Sequence, residues 1–405
     1  MAQAKLTPIQ TRRAPRVMLY SHDTFGLGHL RRSRLLATSI TAADPTASAL
    51  ILTGSPVAGR FTFPRGVDHI RLPGVTKLAD GSYASATMGT DIETTTNLRA
   101  GLIQSAAEQF DPDLLIVDKE PTGFRGELLP TLEELLARGK TKLVLGLREV
   151  LDAPDVLAAE WERKGSVAAT ERFYHDIWIY GLQSIYDPTQ GLPFSPAVRA
   201  RMHWTGYLRR TVPDDVTAPD EPYILVTPGG GGDGEVLVDL VLQAYEKDPE
   251  LGPPAKFVYG PFLSGDTRRA FEARVEKLDG RVTTVGFESE MEALLSGAQG
   301  VICMGGYNTF CEVLSFDKPA VILPRRVPRL EQYIRASKAE ELGLCRMLDE
   351  ERDGLTADAM IAAIAALPDQ RPPSAAFVDG LLDGLETVNE RVRALLSDRS
   401  SCAAE

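Results

Sequence analysis

GVICMGGYNTFCEVLSFDKPAVILPRRVPRLEQ, residues 300–332, decides the fold. Its first four residues are an apolar, β-branched run that reads as a buried strand. Gly305 and Gly306 follow, and a helix is expected to begin near Tyr307 or Asn308. A strand that enters a helix through glycines leaves unpaired N–H groups at the helix start, where an anion binds well. Phe310, Val313 and Leu314 supply the helix's buried face. Asn308, Thr309 and Glu312 share another face, since they stand four and three residues apart. Glu312 is therefore expected along the ligand side, where a carboxylate can accept both hydroxyls of a ribose.

Outward from this segment, similar units repeat. One set of strands is expected at 17–20, 49–52, 114–117, 142–145 and 177–179, and a second at 223–226, 256–258, 281–285, 300–303 and 320–323. Strands alternating with helical patterns predict parallel sheets with right-handed crossovers. The stretch 209–221, RRTVPDDVTAPDE, is rich in proline and acid and reads as a linker. The expected fold is α/β, with two Rossmann-like doubly wound domains facing each other across a cleft. Residues 1–208 form the first domain and 222–370 the second. Residues 371–405 form a helical segment, helix over 375–396, that can pack back on the first domain.

Two further glycine loops stand at strand ends. Strand 17–20 runs into SHDTFGLGHLRRS, and Gly26 and Gly28 suit a tight turn before a helix. The third glycine of a dinucleotide fingerprint is missing, and no acid ends the next strand, so an NAD site is not expected. His29 sits at the helix entrance, where an imidazole can take a proton near neutral pH. Asp118 ends strand 114–117 at the same sheet edge. It either holds that imidazole in one tautomer or caps loop amides. Arg31, Arg32 and Arg34 open the helix. The preferred reading is solvated arginines paired with acids; the alternative, for Arg31 and Arg32 above all, is an anionic group on the acceptor. In the second domain, TPGGGGDG (227–234) exposes the amides of Gly229, Gly230 and Gly231, which suits a phosphate. The DPD at 111–113 precedes its strand, at the wrong end for the cleft, and reads as a turn rather than a metal site.

Composition sets limits. The 405 residues carry a net charge of −12, so a nucleic-acid partner is not expected. The cysteines, Cys303, Cys311, Cys345 and Cys402, form no CxxC pair, which argues for a reducing compartment. Residues 1–16 hold no apolar core of signal-peptide length, and no apolar run reaches membrane-spanning length. A cytoplasmic protein is expected, with peripheral membrane contact left open.

The pattern GGYNTFCE followed by EQ resembles the donor-binding signature of GT-B fold glycosyltransferases. It is similar to that of plant secondary-metabolite glucosyltransferases and of the bacterial enzymes that add N-acetylglucosamine to lipid-linked peptidoglycan precursor. It looks most like a bacterial group of predicted glycosyltransferases with GYNT-x-CE-x-L and an arginine-rich segment before glutamine. The resemblance implies that Gly306, Asn308 and Thr309 face a diphosphate, with Gly305 in the same donor-binding loop, and that Glu312 faces the ribose. It implies that Glu331 and Gln332 hold donor-sugar hydroxyls and that 285–287, with Phe287, grips the base. It makes His29 the general base and Asp118 its orienting partner. Met304 stands where plant enzymes carry a histidine. Arg325, Arg326 and Arg329 crowd the approach to Gln332, with Arg325 an anion-binding candidate.

These readings converge on transfer of a hexose or amino-hexose from a nucleotide-sugar, expected to be a UDP-sugar, to an acceptor hydroxyl or amine. The acceptor is a small molecule or lipid-linked sugar that the sequence does not name. Inversion is expected, with no cofactor and no metal. The rivals are a nucleotide-sugar hydrolase or epimerase on the same scaffold, and a non-catalytic nucleotide-sugar-binding subunit.

Overall fold

The computed structural model describes residues 13–22, 27–78, 82–211, 221–230 and 232–397. Gly26, Gly231, Cys402 and most of the expected linker lie outside the described residues.

The first sheet contains β1 (Arg16–Ser21), β2 (Ser48–Thr53) and β3 (Val67–Arg71). A small antiparallel hairpin, β4 (Val75–Lys77) and β5 (Tyr83–Ser85), follows. The first sheet then continues through β6 (Leu114–Asp118), β7 (Lys142–Arg148), β8 (Asp176–Tyr180) and β9 (Met202–Trp204). Its order is β3-β2-β1-β6-β7-β8-β9, parallel throughout. The second sheet has β10 (Tyr223–Thr227), β11 (Ala255–Val258), β12 (Val282–Val285), β13 (Ala298–Cys303), β14 (Ala320–Ile322) and β15 (Arg346–Met347). Its order, β12-β11-β10-β13-β14-β15, repeats the same plan, again all parallel. Each order reverses once, between β1 and β6 and between β10 and β13. Ligands of open α/β sheets settle beyond the strand ends at such reversals.

β1, β6, β8 and β10 are buried along nearly their whole length. Strands covered on both faces read as unbroken apolar runs. β3 and β9 stand at the sheet's edges and are half-exposed, so VDHIR and MHW show no such run. Both lie outside the expected strand set for that reason.

One correction concerns the C-terminal segment. The helix runs Gly384–Ser397, while Pro373–Ala375 make only a single 3-10 turn. The stretch between is drawn against the first domain. Tyr207 N donates to Leu381 O at 2.8 Å, and Leu208 and Asp383 form an isolated bridge. Gly206 and Gly384 permit this crossing: a Cβ on Gly206 would meet Gly380 O at 2.4 Å, and one on Gly384 would meet Tyr207 O at 2.6 Å. The helix then lies along the helix Gly28–Ala43. Asn389 donates to Ser39 at 2.9 Å, and Arg391 grips Asp176 at 2.7 Å.

Candidate active site

The two sheet reversals face each other across a cavity of 490 Å³ lined from both sides. From the first sheet come the start of the helix Gly28–Ala43 and the residues just past β6 and β7. From the second come the loop after β10, Phe287, and the starts of the helices Tyr307–Ser315 and Glu331–Glu341.

His29 and Asp118 are brought together. His29 Nδ1 contacts Asp118 Oδ2. An ionised carboxylate only accepts, so Nδ1 carries the proton and Nε2 keeps its lone pair, and His29 lines the cavity. Arg32 fixes the carboxylate from the other side, its Nε 2.9 Å from Oδ1 and its Nη2 2.7 Å from Oδ2. Burial opposes the charge on Asp118, but Arg32 and His29 outweigh it and hold the carboxyl well below its usual range. Burial lowers the His29 pKa, and the Asp118 carboxylate only partly restores it. The imidazole is therefore neutral at neutral pH. His22, just past β1, packs edge-on to His29 at 5.7 Å, and burial and Lys119 keep it neutral too.

The expected pairing with acids holds, but Arg31 and Arg32 are not solvated, which corrects that part of the sequence reading. Arg32 is fully buried, and its guanidinium also lies 5.5 Å over the Tyr307 ring. Arg31 contacts Glu312 and stands 3.8 Å from Glu292. Arg34 donates to Thr62 O at 2.8 Å. Their acids come from Asp118 and from the second domain, far along the chain and invisible to local charge patterning.

Across the cavity, Gly306 begins the helix Tyr307–Ser315 with no side chain capping it. Phe310 N makes the first bond back, to Gly306 O, so the amides of Tyr307, Asn308 and Thr309 have no partner within the helix. Gly305 lies behind, buried, with φ 71°; a Cβ there would meet Ile322 Cγ2 at 2.7 Å. A Cβ on Gly306 would meet nothing. Gly229, with φ 84°, is equally unobstructed, and Gly229 and Gly230 both line the cavity. Phe287 lines it as well, with Phe61 edge-on at 6.0 Å and Arg60 over its face at 5.4 Å.

Two side chains differ from expectation. Asn308 faces the other domain: its Nδ2 donates to Gly28 O at 2.9 Å, and its Oδ1 accepts from Arg210 Nη2 at 2.7 Å. Each polar atom thus spends one hydrogen bond on the protein, which fixes the amide's orientation at the cavity wall. Glu312 does not line the cavity. Its side chain is wholly buried beneath Arg31, and burial raises its pKa against the pull of Arg31 and Arg210. A helical period correctly places Glu312 on the Asn308 face, but says nothing of a cation arriving from 281 residues away.

Glu331 and Gln332 line the cavity at the start of their helix. Glu331 lies 2.5 Å from Arg148 and 3.3 Å from Arg325, and Gln332 Oε1 accepts from Arg325 N at 3.1 Å. Burial resists ionisation of Glu331, but Arg148 and Arg335 bring its pKa down to about 2. Arg325 also holds Asp233. Lys119, Arg148 and Arg329 line the same end. The first two escaped the sequence reading; the available signal was a cation directly beyond an apolar strand. The Asp111–Asp113 turn is remote: Asp111 is a left-handed helix terminus, and Asp113 accepts from Arg16 N at 2.8 Å.

Residues 223–373 match the glycosyltransferase family 28 C-terminal domain. An uncharacterized glycosyltransferase of Methanosarcina acetivorans is 26% identical over 287 residues, covering 60% of this chain and 72% of that protein. The UDP-N-acetylglucosamine–N-acetylmuramyl-(pentapeptide) pyrophosphoryl-undecaprenol N-acetylglucosamine transferase of Desulforudis audaxviator is 26% identical over 160 residues, covering 37% of this chain and 40% of that protein. Among solved structures, MurG of Acinetobacter baumannii superposes with a TM-score of 0.57 at 13% identity, over 94% of this chain and 99% of that one. The overall likeness is one of fold, and the fold is GT-B.

Proposed function

We propose that this GT-B glycosyltransferase moves a hexose or amino-hexose from a UDP-sugar to an acceptor hydroxyl or amine, by one in-line displacement with inversion. The observation that carries the reading is a juxtaposition. A neutral imidazole fixed by a buried Asp118–Arg32 pair faces uncapped helix amides across one cavity, and Asn308 Nδ2 stands 2.9 Å from the carbonyl beside His29.

His29 Nε2 takes the acceptor proton as oxygen or nitrogen attacks the anomeric carbon. Asp118 steadies the imidazolium that forms. Negative charge grows on the leaving diphosphate, which lies at the amides of residues 307–309 and the Gly229–Gly230 loop. Preorganised donors in a water-poor cleft favour that charge without reorganising, so no metal ion is required. The uracil lies against Phe287. Glu312 takes the ribose hydroxyls once Arg31 leaves it, and Glu331 and Gln332 hold the sugar. The Desulforudis relative is named for a UDP-sugar, which supports uridine as the nucleoside. Among the described residues no helix is long and apolar enough to cross a membrane. A lipid-linked acceptor would therefore be met at the membrane surface by a peripheral protein.

The test is a panel of UDP-sugars incubated with and without an acceptor library, read by mass spectrometry. A glycosylated acceptor, formed only when both substrates are present, is the expected result. Free sugar or a C2 epimer from donor alone, with no acceptor product, would assign the site to the hydrolase or epimerase reading. Tight donor binding without turnover would assign it to a binding subunit.

A further inference from the structure

Four cations gather at the end of the cavity around Glu331. Lys119, Arg148, Arg325 and Arg329 converge there from both domains. Three of the four are spoken for. Arg148 and Arg325 share Glu331, Arg325 also holds Asp233, and Arg329 binds Asp152 at 3.1 Å and Glu160 at 2.9 Å.

Lys119 is different. Its ammonium makes no hydrogen bond among the described residues. The nearest carboxylate oxygen, on Glu120, stands 3.7 Å away and belongs to a carboxylate that Lys164 already holds at 3.0 Å. Lys119 also directly follows Asp118 with φ 71°, a left-handed conformation that costs energy in a residue with a Cβ. The site is unfinished in a second respect. Arg148 Nε and Arg325 Nε are buried without a hydrogen-bond partner. Such groups cost stability unless something meets them.

We infer that this end of the cleft reads a carboxylate on the transferred sugar, with Lys119 as its direct partner, so that the donor is a nucleotide-activated sugar acid. The inference rests on the nucleotide-sugar reading above and narrows it. A hexuronate carries its carboxylate as the exocyclic carbon on C5, across the ring oxygen from the anomeric carbon. Such a group enters between Lys119 and Arg148, while Gln332 keeps its hydroxyl contacts. Crowding supports the assignment. Burial lowers the Lys119 pKa, and Arg329 and Arg148 lower it further despite Glu120, so an arriving anion relieves repulsion among the cations.

The experiment is calorimetric titration of the full chain with UDP, UDP-glucose and UDP-glucuronate, for wild type and Lys119→Met. Methionine keeps the length of the side chain and adds no strain that lysine does not already carry. Wild type is expected to bind UDP-glucuronate about tenfold or more tighter than UDP-glucose, the scale of one charge-assisted hydrogen bond. Lys119→Met is expected to lose that preference and keep its affinity for UDP. Equal or weaker binding of UDP-glucuronate by wild type would overturn the inference alone. So would an equal loss of UDP affinity in Lys119→Met, since the ammonium would then serve the diphosphate. Absence of UDP binding by wild type would instead overturn the nucleotide-sugar reading on which it stands.

Discussion

His29 can act as a base only while Nε2 is unprotonated, and its surroundings set where that fails. Burial pulls its pKa below 6.5 and Asp118 opposes the pull. The rate is therefore expected to hold steady from neutral pH down past 6.5 and to fall only once the lowered pKa is reached. Asp118→Asn removes the opposing charge, so the acid limb of the pH–rate profile moves to still lower pH. His29→Ala is expected to lose about 10²–10⁴-fold in kcat, the usual contribution of a positioned base, with donor binding retained. Unchanged turnover would remove the imidazole from the mechanism. Arg31 gives a prediction of opposite sign. Because it covers Glu312, Arg31→Gln is expected to tighten donor binding, while Glu312→Ala weakens it; equilibrium titration with UDP distinguishes the two. These side chains were only partly legible. The local sequence places His29 at a helix entrance and Glu312 on the Asn308 face. Asp118, 89 residues from His29, could be placed near it only through its strand end, and Arg31 reaches Glu312 from 281 residues away, a distance no local pattern encodes.

The glycine loops carry the argument at the level of the element. Gly305 and Gly306 are adjacent and look alike in sequence, yet their spaces differ. Gly305 needs φ 71° and packs on Ile322, whereas a Cβ on Gly306 meets open cavity. Gly305→Ala is expected to cost about 1–3 kcal/mol from the strained backbone, with more from the clash, measured by urea unfolding. Gly306→Ala is expected to fold as wild type and to lose donor affinity, because its methyl would stand where the diphosphate meets the amides. Equal stability loss in both variants would contradict this division. The buried parallel strands were readable because apolar residues run unbroken through them. The edge strands β3 and β9 were not, and the last helix starts at Gly384 because the turn before it is held against residues 207–208.

At the scale of the molecule, the halves are joined by buried ion pairs rather than by the linker alone. Arg335 of the second domain binds Glu149 at the end of β7 and donates to Gly305 O at 2.9 Å. Both side chains are almost wholly buried. Glu149→Gln leaves an uncompensated guanidinium, at an expected cost of about 3–5 kcal/mol, read as a lower unfolding midpoint. Glu331 adds a pH term. Its folded pKa of about 2 lies below the ordinary 4.5, so its contribution is full above 4.5 and is lost as pH falls toward 2. Arg31 also occupies Glu312 in this ion-paired arrangement, so under the proposed function a donor has to part that pair before Glu312 can accept the ribose hydroxyls. The crystal structure of the chain with UDP bears on all of this at once. The account predicts phosphate oxygens within hydrogen-bond distance of the amides of residues 307–309, the uracil beside Phe287, and Arg31 parted from Glu312. Phosphates seated elsewhere, with the Tyr307 helix start vacant and the Arg31–Glu312 pair intact, would contradict it.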